Sequence, residues 1–187
     1  MRRRLLLALL LTVAAAAATH GCGRAAAPPD PVFPAARRLE GLTGLENMGE
    51  VEPGLLRGAQ PSGEGLARLK AMGVKTVLNL RHFHGGEEEA ACRALGLDYV
   101  AIPLASSEAP TDGQVRRFLS LARDPARRPL FFHCQHGSDR TGTMCAVYRM
   151  EVGRWPRQAV LDEMDAFGFC PVWRALRAFV NAYVPGR

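Results

Sequence analysis

The sequence predicts an α/β domain in which helices flank a mostly parallel central sheet. Apolar runs with high strand propensity alternate with segments whose apolar residues recur at helical spacing, and the last third of the chain is helical. This alternation is typical of a parallel sheet, because each crossover between parallel strands needs a covering element. Hydrophobic residues make up 48% of the chain and charged residues 22%, an ordinary globular composition.

The chain is predicted to have three parts. In residues 1–22, three arginines precede an apolar stretch that ends at Ala18, which is typical of a signal segment and short for a stable membrane span. Residues 23–45 are rich in alanine and proline and are predicted to form an extended tether. Residues 46–187 are predicted to form one folded domain, which is long enough to bury its own core.

Strands and helices are predicted to alternate along this domain. Each predicted strand is an apolar or β-branched run, and each helix begins at a proline, an acidic residue or a capping residue. The strands are predicted at residues 55–56, 74–80, 97–104 and 129–132, and the helices begin near residues 61, 87, 111, 141, 156 and 171.

Several residues in the predicted helices have a specific structural interpretation. Thr111, with Gln114 three residues later, fits a capping box. Residues 87–89 are glutamates that complement the helix dipole, and we expect them to be solvated. The two tryptophans, Trp155 and Trp173, are expected to pack within the helical third.

The strongest functional signal is the segment between the strand at 129–132 and the helix that follows Thr141. It contains Cys134 at the strand end and Arg140 at the helix end, with Gly137 between them. Unpaired N–H groups at a helix start bind anions, and a thiol beside a helix start and a cation is acidified. The segment therefore predicts a thiolate nucleophile, a phosphate-sized turn and a bidentate guanidinium.

The pattern His133-Cys134-x5-Arg140-Thr141-Gly142 resembles the signature of the cysteine-dependent protein tyrosine and dual-specificity phosphatases. Segments 55–61, 79–81 and 102–104 also look like the small bacterial dual-specificity-like group. The resemblance implies that Cys134 attacks phosphorus and forms a thiophosphate intermediate, that Thr141 supports the thiolate as leaving group, and that His133 orders the loop from behind. It implies that the phosphate is held by Gln135, His136, Gly137, Ser138, Asp139 and Arg140.

The same resemblance calls for a general acid from a loop before the cysteine. Two carboxylates are candidates, Glu108, which lies 26 residues before Cys134, and Asp112, which lies 22 residues before it. Asp112 has the side chain usual in the family but falls at a predicted helix start, where an acid is common for structural reasons. A third alternative is that neither serves and that solvent or substrate protonates the leaving group.

The predicted substrate is a phosphoprotein, chiefly one carrying phosphotyrosine, with phosphoserine or phosphothreonine also open. Two alternatives remain: a phosphatase of inositol phosphates or other small phosphate esters, which would need basic residues such as Arg57, Arg81 and His84 at the pocket, and a weakly active phosphate-binding module. No cofactor is predicted, and no metal either, because His133, Cys134 and His136 lack a second ligand pair at zinc-like spacing. The formal net charge of +6 becomes +3 without Arg2, Arg3 and Arg4 of the signal segment, and this mildly basic balance suits an anionic substrate and does not by itself indicate nucleic acid.

The segment Thr19-His20-Gly21-Cys22 resembles a bacterial lipoprotein signal. The resemblance implies lipidation of Cys22 and a periplasmic domain tethered to a membrane; cleavage near the alanine run and an uncleaved anchor are the alternatives. The thiols at positions 92, 145 and 170 are expected to be small core residues, and a disulfide between two of them is left open.

Overall fold

The computed structural model describes residues 33–186, which contain one six-stranded sheet. The four strands at its centre and one edge run parallel, and two short antiparallel strands complete the other edge. The predicted α/β fold with a mostly parallel sheet is confirmed. In chain order the strands are β1 (Arg37–Arg38), β2 (Gly49–Glu52), β3 (Leu55–Gly58), β4 (Thr76–Arg81), β5 (Asp98–Leu104) and β6 (Leu130–His133), and their order across the sheet is β1-β2-β3-β6-β4-β5.

Helices cover both faces of this sheet. Strands β6 and β4, which are neighbours inside the sheet, alternate between the faces: Leu78 and Phe132 lie in one core, and Val77 and Phe131 lie in the other. Strands buried on both sides are continuous apolar runs, which is the pattern that predicted β6. The helices are α1 (Gly63–Ala71), α2 (Gly86–Ala94), α3 (Asp112–Arg123), α4 (Asp139–Glu151), α5 (Arg157–Ala166) and α6 (Arg174–Ala182), with a short 3-10 helix at Pro125–Arg127.

Helix α4 lies at the centre of the molecule. Its residues are buried almost throughout, because one side packs on the sheet and the other packs on α5 and α6. A helix that is covered all round is held in place from every direction. The loop that enters α4 is therefore attached to a helix that is packed on all sides.

The predicted capping box at the start of α3 is present. Gln114 N donates to Thr111 Oγ1 at 3.3 Å, and Thr111 N donates to Gln114 Oε1 at 2.8 Å. These reciprocal bonds satisfy two backbone donors and fix the first turn of the helix. The position of Asp112, the first residue of α3, is fixed with it.

Residues 33–45, which fall in the predicted tether, pack against the domain. Ala36 is buried and its N–H donates to Glu163 Oε1 at 2.6 Å, Leu45 is buried, and Arg37 pairs with Glu50 across β1 and β2. The predicted domain boundary at residue 46 is therefore too late. These contacts join distant parts of the chain, so the local alanine and proline content gave no sign of them.

The remaining differences are small. Pro171 was expected to open the last helix, but α6 begins at Arg174. The helices within residues 33–186 are all too short or too polar to cross a membrane. The signal segment, with Cys22, and the tether up to residue 32 lie outside the described residues.

Candidate active site

The turn between β6 and α4 runs from Cys134 to Ser138. Strand β6 ends at His133, and Cys134 follows it with only 1% of its surface exposed. Helix α4 begins at Asp139, so Arg140 lies in its first turn. The thiol and the guanidinium therefore lie at the two ends of one turn, where the first N–H groups of a buried helix are available to an anion.

This turn forms the floor of a pocket of about 580 Å³. The other walls come from the segments after β4 and β5 and from the segment before α6. The carboxyl ends of parallel strands meet at this edge of the sheet, which is where ligands bind in open α/β folds. The floor residues are Gln135, His136, Ser138, Asp139 and Arg140; the walls are Arg81, His82, Phe83, Ser106, Gly168, Cys170, Val172 and Trp173.

Gly137 allows the turn to pack directly on the end of β3. Its φ is +72°, and a Cβ at this position would lie 2.6 Å from both the Ala59 nitrogen and the Gly58 carbonyl carbon. Only glycine combines this backbone conformation with so close an approach. The close contact fixes the position of the turn relative to the end of β3.

Three successive carbonyl oxygens of the turn are bound from behind. Gln60 N donates to the carbonyl of Gln135 at 3.3 Å. Asn47 Nδ2 donates to the carbonyl of His136 at 3.0 Å, and Arg57 Nη2 donates to the carbonyl of Gly137 at 2.8 Å. With its carbonyls satisfied on one side, the turn can offer its N–H groups to a phosphate on the other.

A buried polar chain lies behind Cys134. His133 is fully buried, with Nδ1 3.3 Å from the Cys134 carbonyl oxygen and Nε2 2.9 Å from Glu88 Oε1. The other oxygen of Glu88 accepts from Asn79 Nδ2 at 2.5 Å, and Asn79 also donates to Tyr99. Burial and the charge of Glu88 raise the pKa of Tyr99 to about 12. Glu88 was expected to be solvated; it is instead 8% exposed, with its carboxylate against the His133 ring.

The side chains at the start of α4 have different surroundings. Thr141 is fully buried, and its Oγ1 has no hydrogen-bond partner among the described residues. Ser138 Oγ donates to the His136 carbonyl at 3.3 Å. Asp139 Oδ1 accepts from Cys170 N at 2.8 Å, so this carboxylate attaches the opposite wall of the pocket to the turn.

The two candidate acids lie in different places. Glu108 is exposed and lines a small cavity of about 140 Å³ that shares His82 with the main pocket. Ser106, on the same loop, lines the main pocket itself. Asp112 lines a separate cavity between α3 and α6, together with Tyr183. The structure brings residues 133–141 together at one site and places Glu108 beside the pocket. Asp112 lies away from the pocket, because the capping box fixes it in α3.

The three basic residues that an inositol phosphate pocket would need lie in different places in the structure. Arg81 lines the pocket, whereas His84 is exposed outside its lining. Arg57 lies behind the turn with no exposed surface. Asn47, at a φ of 48°, was not singled out, and no local pattern distinguishes it from a loop asparagine.

The other cysteines among the described residues are free thiols. Cys92 and Cys145 are buried, as expected, whereas Cys170, which was also expected to be a small core residue, is exposed at the pocket wall. Burial, reinforced by Glu88 and Glu163 respectively, raises the pKa of Cys92 and of Cys145 to about 12. These two thiols are therefore protonated at neutral pH and poorly nucleophilic. Within residues 33–186 there is no group of three or more histidine, cysteine or acidic side chains that could hold a metal ion.

Comparison with known proteins gives a consistent set of similarities. Residues 32–169 match the family described as "DSP-PTPase phosphatase fused to NAD+ Kinase". The chain is 32% identical over 124 residues to the dual specificity protein phosphatase TpbA of Pseudomonas aeruginosa strain UCBPP-PA14, a match that covers 66% of this chain and 55% of TpbA. It is 25% identical over 126 residues to the inositol diphosphatase DSP1 of Oryza sativa subsp. japonica, covering 65% of this chain and 56% of that protein.

A solved structure agrees with these matches. A variant of P. aeruginosa TpbA in complex with pTyr has a TM-score of 0.68 and 28% sequence identity, with 80% of this chain and 90% of that chain covered. The chain spans about half the length of the curated relatives named above.

Proposed function

The chain belongs to the family of DSP-PTPase phosphatase domains described above, and from this premise we propose that it hydrolyses phosphate monoesters through a cysteine nucleophile. The observation that carries the proposal is the turn between β6 and α4, in which the buried Cys134 directly precedes the residues that form the floor of an open pocket, with Arg140 among them. A thiolate needs no separate base, unlike a serine hydroxyl.

In the first step, the Cys134 sulfur attacks phosphorus and the bond from phosphorus to the ester oxygen breaks. The N–H groups of the turn and the Arg140 guanidinium hold the three non-bridging oxygens as their charge develops. The leaving oxygen takes a proton from a general acid. Water then attacks the thiophosphate, the S–P bond breaks, and inorganic phosphate and the thiolate are released.

Glu108 is proposed as the general acid in preference to Asp112. Its loop borders the pocket through Ser106, and His82 is shared by the pocket and the small cavity that Glu108 lines. A short movement of this exposed loop would bring the carboxyl group to a bound ester. Asp112 would have to leave the capped first turn of α3 to do the same.

The proposed substrate is a phosphotyrosine-containing protein. The rim of the pocket is apolar and aromatic: Phe83 is 81% exposed, Val172 is 66% exposed, and Trp173 lies beside it. Such a rim suits a phenyl ring and its flanking residues better than a fully hydroxylated ring. TpbA is named a dual specificity protein phosphatase, and its structure with pTyr supports the same substrate class.

Inositol phosphates are the second candidate, and one observation favours them. Arg81 lines the pocket in addition to Arg140, and two histidines, His82 and His136, lie there as well. A second cation would pair with a second phosphate group on a small ring. The similarity to the rice inositol diphosphatase supports the same alternative.

Purified residues 23–187 can be assayed on an aryl phosphate, on phosphotyrosine and phosphoserine peptides, and on inositol phosphates. The proposal predicts hydrolysis of the aryl phosphate and of phosphotyrosine peptides, and none by Cys134→Ser. Preferential hydrolysis of inositol phosphates would favour the second candidate, and phosphate binding without turnover on any substrate would favour a phosphate-binding module.

Export and lipidation are a separate proposal that rests on residues 1–22. We propose that Cys22 is lipidated and that the domain is held at a bacterial membrane on the periplasmic side. Expression of the full chain and of Cys22→Ala in a bacterial host, followed by fractionation, tests it. Wild-type protein in the membrane fraction and Cys22→Ala in the soluble periplasmic fraction is the expected result; identical distributions would contradict it.

A further inference from the structure

Arg57 is a buried cation directly behind the phosphate-binding turn. It lies in β3, has no exposed surface, and donates from Nη2 to the Gly137 carbonyl oxygen at 2.8 Å. Its guanidinium carbon lies 3.9 Å from the centroid of the Phe167 ring. The proposed reaction gives Arg57 no contact with the substrate, because its hydrogen bond is to the back of the turn.

The charge of Arg57 is only partly compensated by its surroundings. Its Nε and Nη1 make no hydrogen bond to the part of the protein that the structure describes. Glu163, the carboxylate on α5, is engaged by Arg149 through two hydrogen bonds, at 2.9 and 3.2 Å, and by the N–H of Ala36. Burying a guanidinium with one carbonyl and one aromatic face as partners is costly, which points to a use for the charge.

The hydrogen bond from Arg57 to the Gly137 carbonyl shows how this charge can act on the turn. Gly137 C=O and Ser138 N–H belong to the same peptide unit. A charged donor on the oxygen polarises the whole unit and makes its N–H a stronger donor. Because that N–H belongs to the turn, the effect of Arg57 is delivered to an anion held there without Arg57 reaching the pocket.

The charge of Arg57 also acts electrostatically on other neighbouring groups. Its charge acts to lower the pKa of Cys145 and of Glu163, although burial opposes it at both groups. At the turn it would act with Arg140 on a thiolate and a phosphate dianion, which together carry more negative charge than one guanidinium neutralises. The other charged or titratable groups around the turn are His136, Asp139 and Arg140 on the loop and α4, Glu88 and His133 behind it, Arg81 and His82 across the pocket, and Glu163, Arg149 and Cys145 on α4 and α5.

We propose that Arg57 is a positioning residue for the phosphate-binding turn, and that its buried charge and its bond to Gly137 strengthen anion binding and thiolate formation at Cys134. The inference rests on the proposed function, but it can be measured without turnover. It concerns the resting thiol and the binding of inorganic phosphate.

The test compares Arg57→Met and Arg57→Lys with the wild type. Two quantities are measured in protein shown to be folded by its thermal transition: the pH midpoint of Cys134 alkylation by iodoacetamide, and the concentration of inorganic phosphate that protects Cys134 from alkylation. In Arg57→Met we expect the midpoint to rise by about one pH unit and the protecting concentration to rise about tenfold. Arg57→Lys keeps the charge without the planar fork, so its midpoint should stay nearer the wild type while phosphate protection weakens.

Arg128→Met is the matched control. Arg128 is a half-buried arginine that pairs with Glu52 at 2.7 Å and donates to Tyr148, at the end of β6 opposite to Cys134. Its replacement should change neither the pH midpoint of Cys134 alkylation nor the concentration of phosphate that protects Cys134.

Folded Arg57→Met with the wild-type midpoint and wild-type phosphate protection would overturn the inference. If Arg57→Met does not fold, Arg57→Lys decides: weaker phosphate protection supports the inference, and unchanged protection contradicts it. The proposed function fails by a different result, which is wild-type protein that hydrolyses no phosphate ester.

Discussion

The imidazole Nε2 of His133 lies 2.9 Å from the Glu88 carboxylate, and both side chains are buried. This contact links α2 to the end of β6, one residue before the nucleophile. The other ring nitrogen lies 3.3 Å from the Cys134 carbonyl oxygen, so the His133 side chain lies between the Glu88 carboxylate and the start of the phosphate-binding turn.

Removal of the Glu88 carboxylate is predicted to destabilise the domain and slow the enzyme. Glu88→Ala leaves His133 and Asn79 without their buried partner, which should cost about 2 kcal/mol of unfolding free energy and lower turnover. Chemical denaturation and steady-state kinetics measure the two effects. Glu89→Ala is the control, because Glu89 makes only an exposed pair with Arg93 on the same helix and should change stability by less than about 0.5 kcal/mol. Equal effects of the two substitutions would argue against a role for the buried contact.

Glu108→Gln is predicted to separate substrates by their leaving groups. A protonated carboxyl matters most when the departing oxygen is a poor leaving group, so hydrolysis of an alkyl phosphate should fall about a hundredfold, with a small effect on an activated aryl phosphate. Asp112→Asn, in the capped turn of α3, should leave both rates unchanged. The assignment fails if Asp112→Asn shows the leaving-group dependence and Glu108→Gln does not.

Gly137→Ala is predicted to distort the turn. Its new methyl group would lie 2.6 Å from the backbone at Gly58 and Ala59, which cannot move without shifting β3, and φ is positive there. A displaced turn should lower turnover by about a hundredfold. Gly63→Ala, at the start of α1, meets no atom within 4 Å and should preserve wild-type kinetics. Wild-type turnover in Gly137→Ala would show that the close approach is dispensable.

The buried pair of Glu163 and Arg149 is predicted to give the domain part of its acid sensitivity. Burial opposes ionisation of Glu163, but the hydrogen bonds and charge of Arg149 outweigh it and hold its pKa below the ordinary value of 4.5. A carboxyl with a depressed pKa contributes stability that is fully present above pH 4.5 and is lost as the pH falls through its folded-state pKa. The stability difference between wild type and Glu163→Gln should therefore narrow below pH 4.5.

Asp165→Asn provides the comparison for this titration. The pKa of Asp165 is also lowered, by its hydrogen bond from Arg177, but its side chain is 52% exposed. Solvent screens such a pair, so the difference in unfolding free energy between wild type and Asp165→Asn should be smaller at every pH than the difference for Glu163→Gln. If the difference in unfolding free energy between wild type and Glu163→Gln does not change with pH, the protonation of Glu163 does not control this part of the stability.

The strand, turn and helix that carry Cys134 and Arg140 could be predicted because their signals are adjacent in sequence. The apolar run at 129–132, Gly137 and the helical spacing after Thr141 each specify a local conformation. The capping box of Thr111 and Gln114 was predictable for the same reason. In each case the bonds that stabilise the element join residues close together in the chain.

The supports of the turn could not be predicted, because they come from distant elements. Glu88 begins a helix with two other glutamates, and nothing local indicates that it alone is buried against His133. Arg57 follows two leucines in a short strand, where an arginine is usually exposed. Asn47 precedes β2, an antiparallel strand that the sequence did not predict. These contacts depend on which strands become neighbours, and that order is a property of the whole sheet.

Trapping the covalent intermediate tests the proposed role of Cys134 directly. Wild-type protein is quenched in acid during hydrolysis of an aryl phosphate, and its peptides are analysed by mass spectrometry. We predict a phosphoryl group on the sulfur of Cys134, present during turnover and absent in Cys134→Ser, which should release no product. Turnover by Cys134→Ser at the wild-type rate, or a phosphoryl group on another residue of the pocket, would contradict the account.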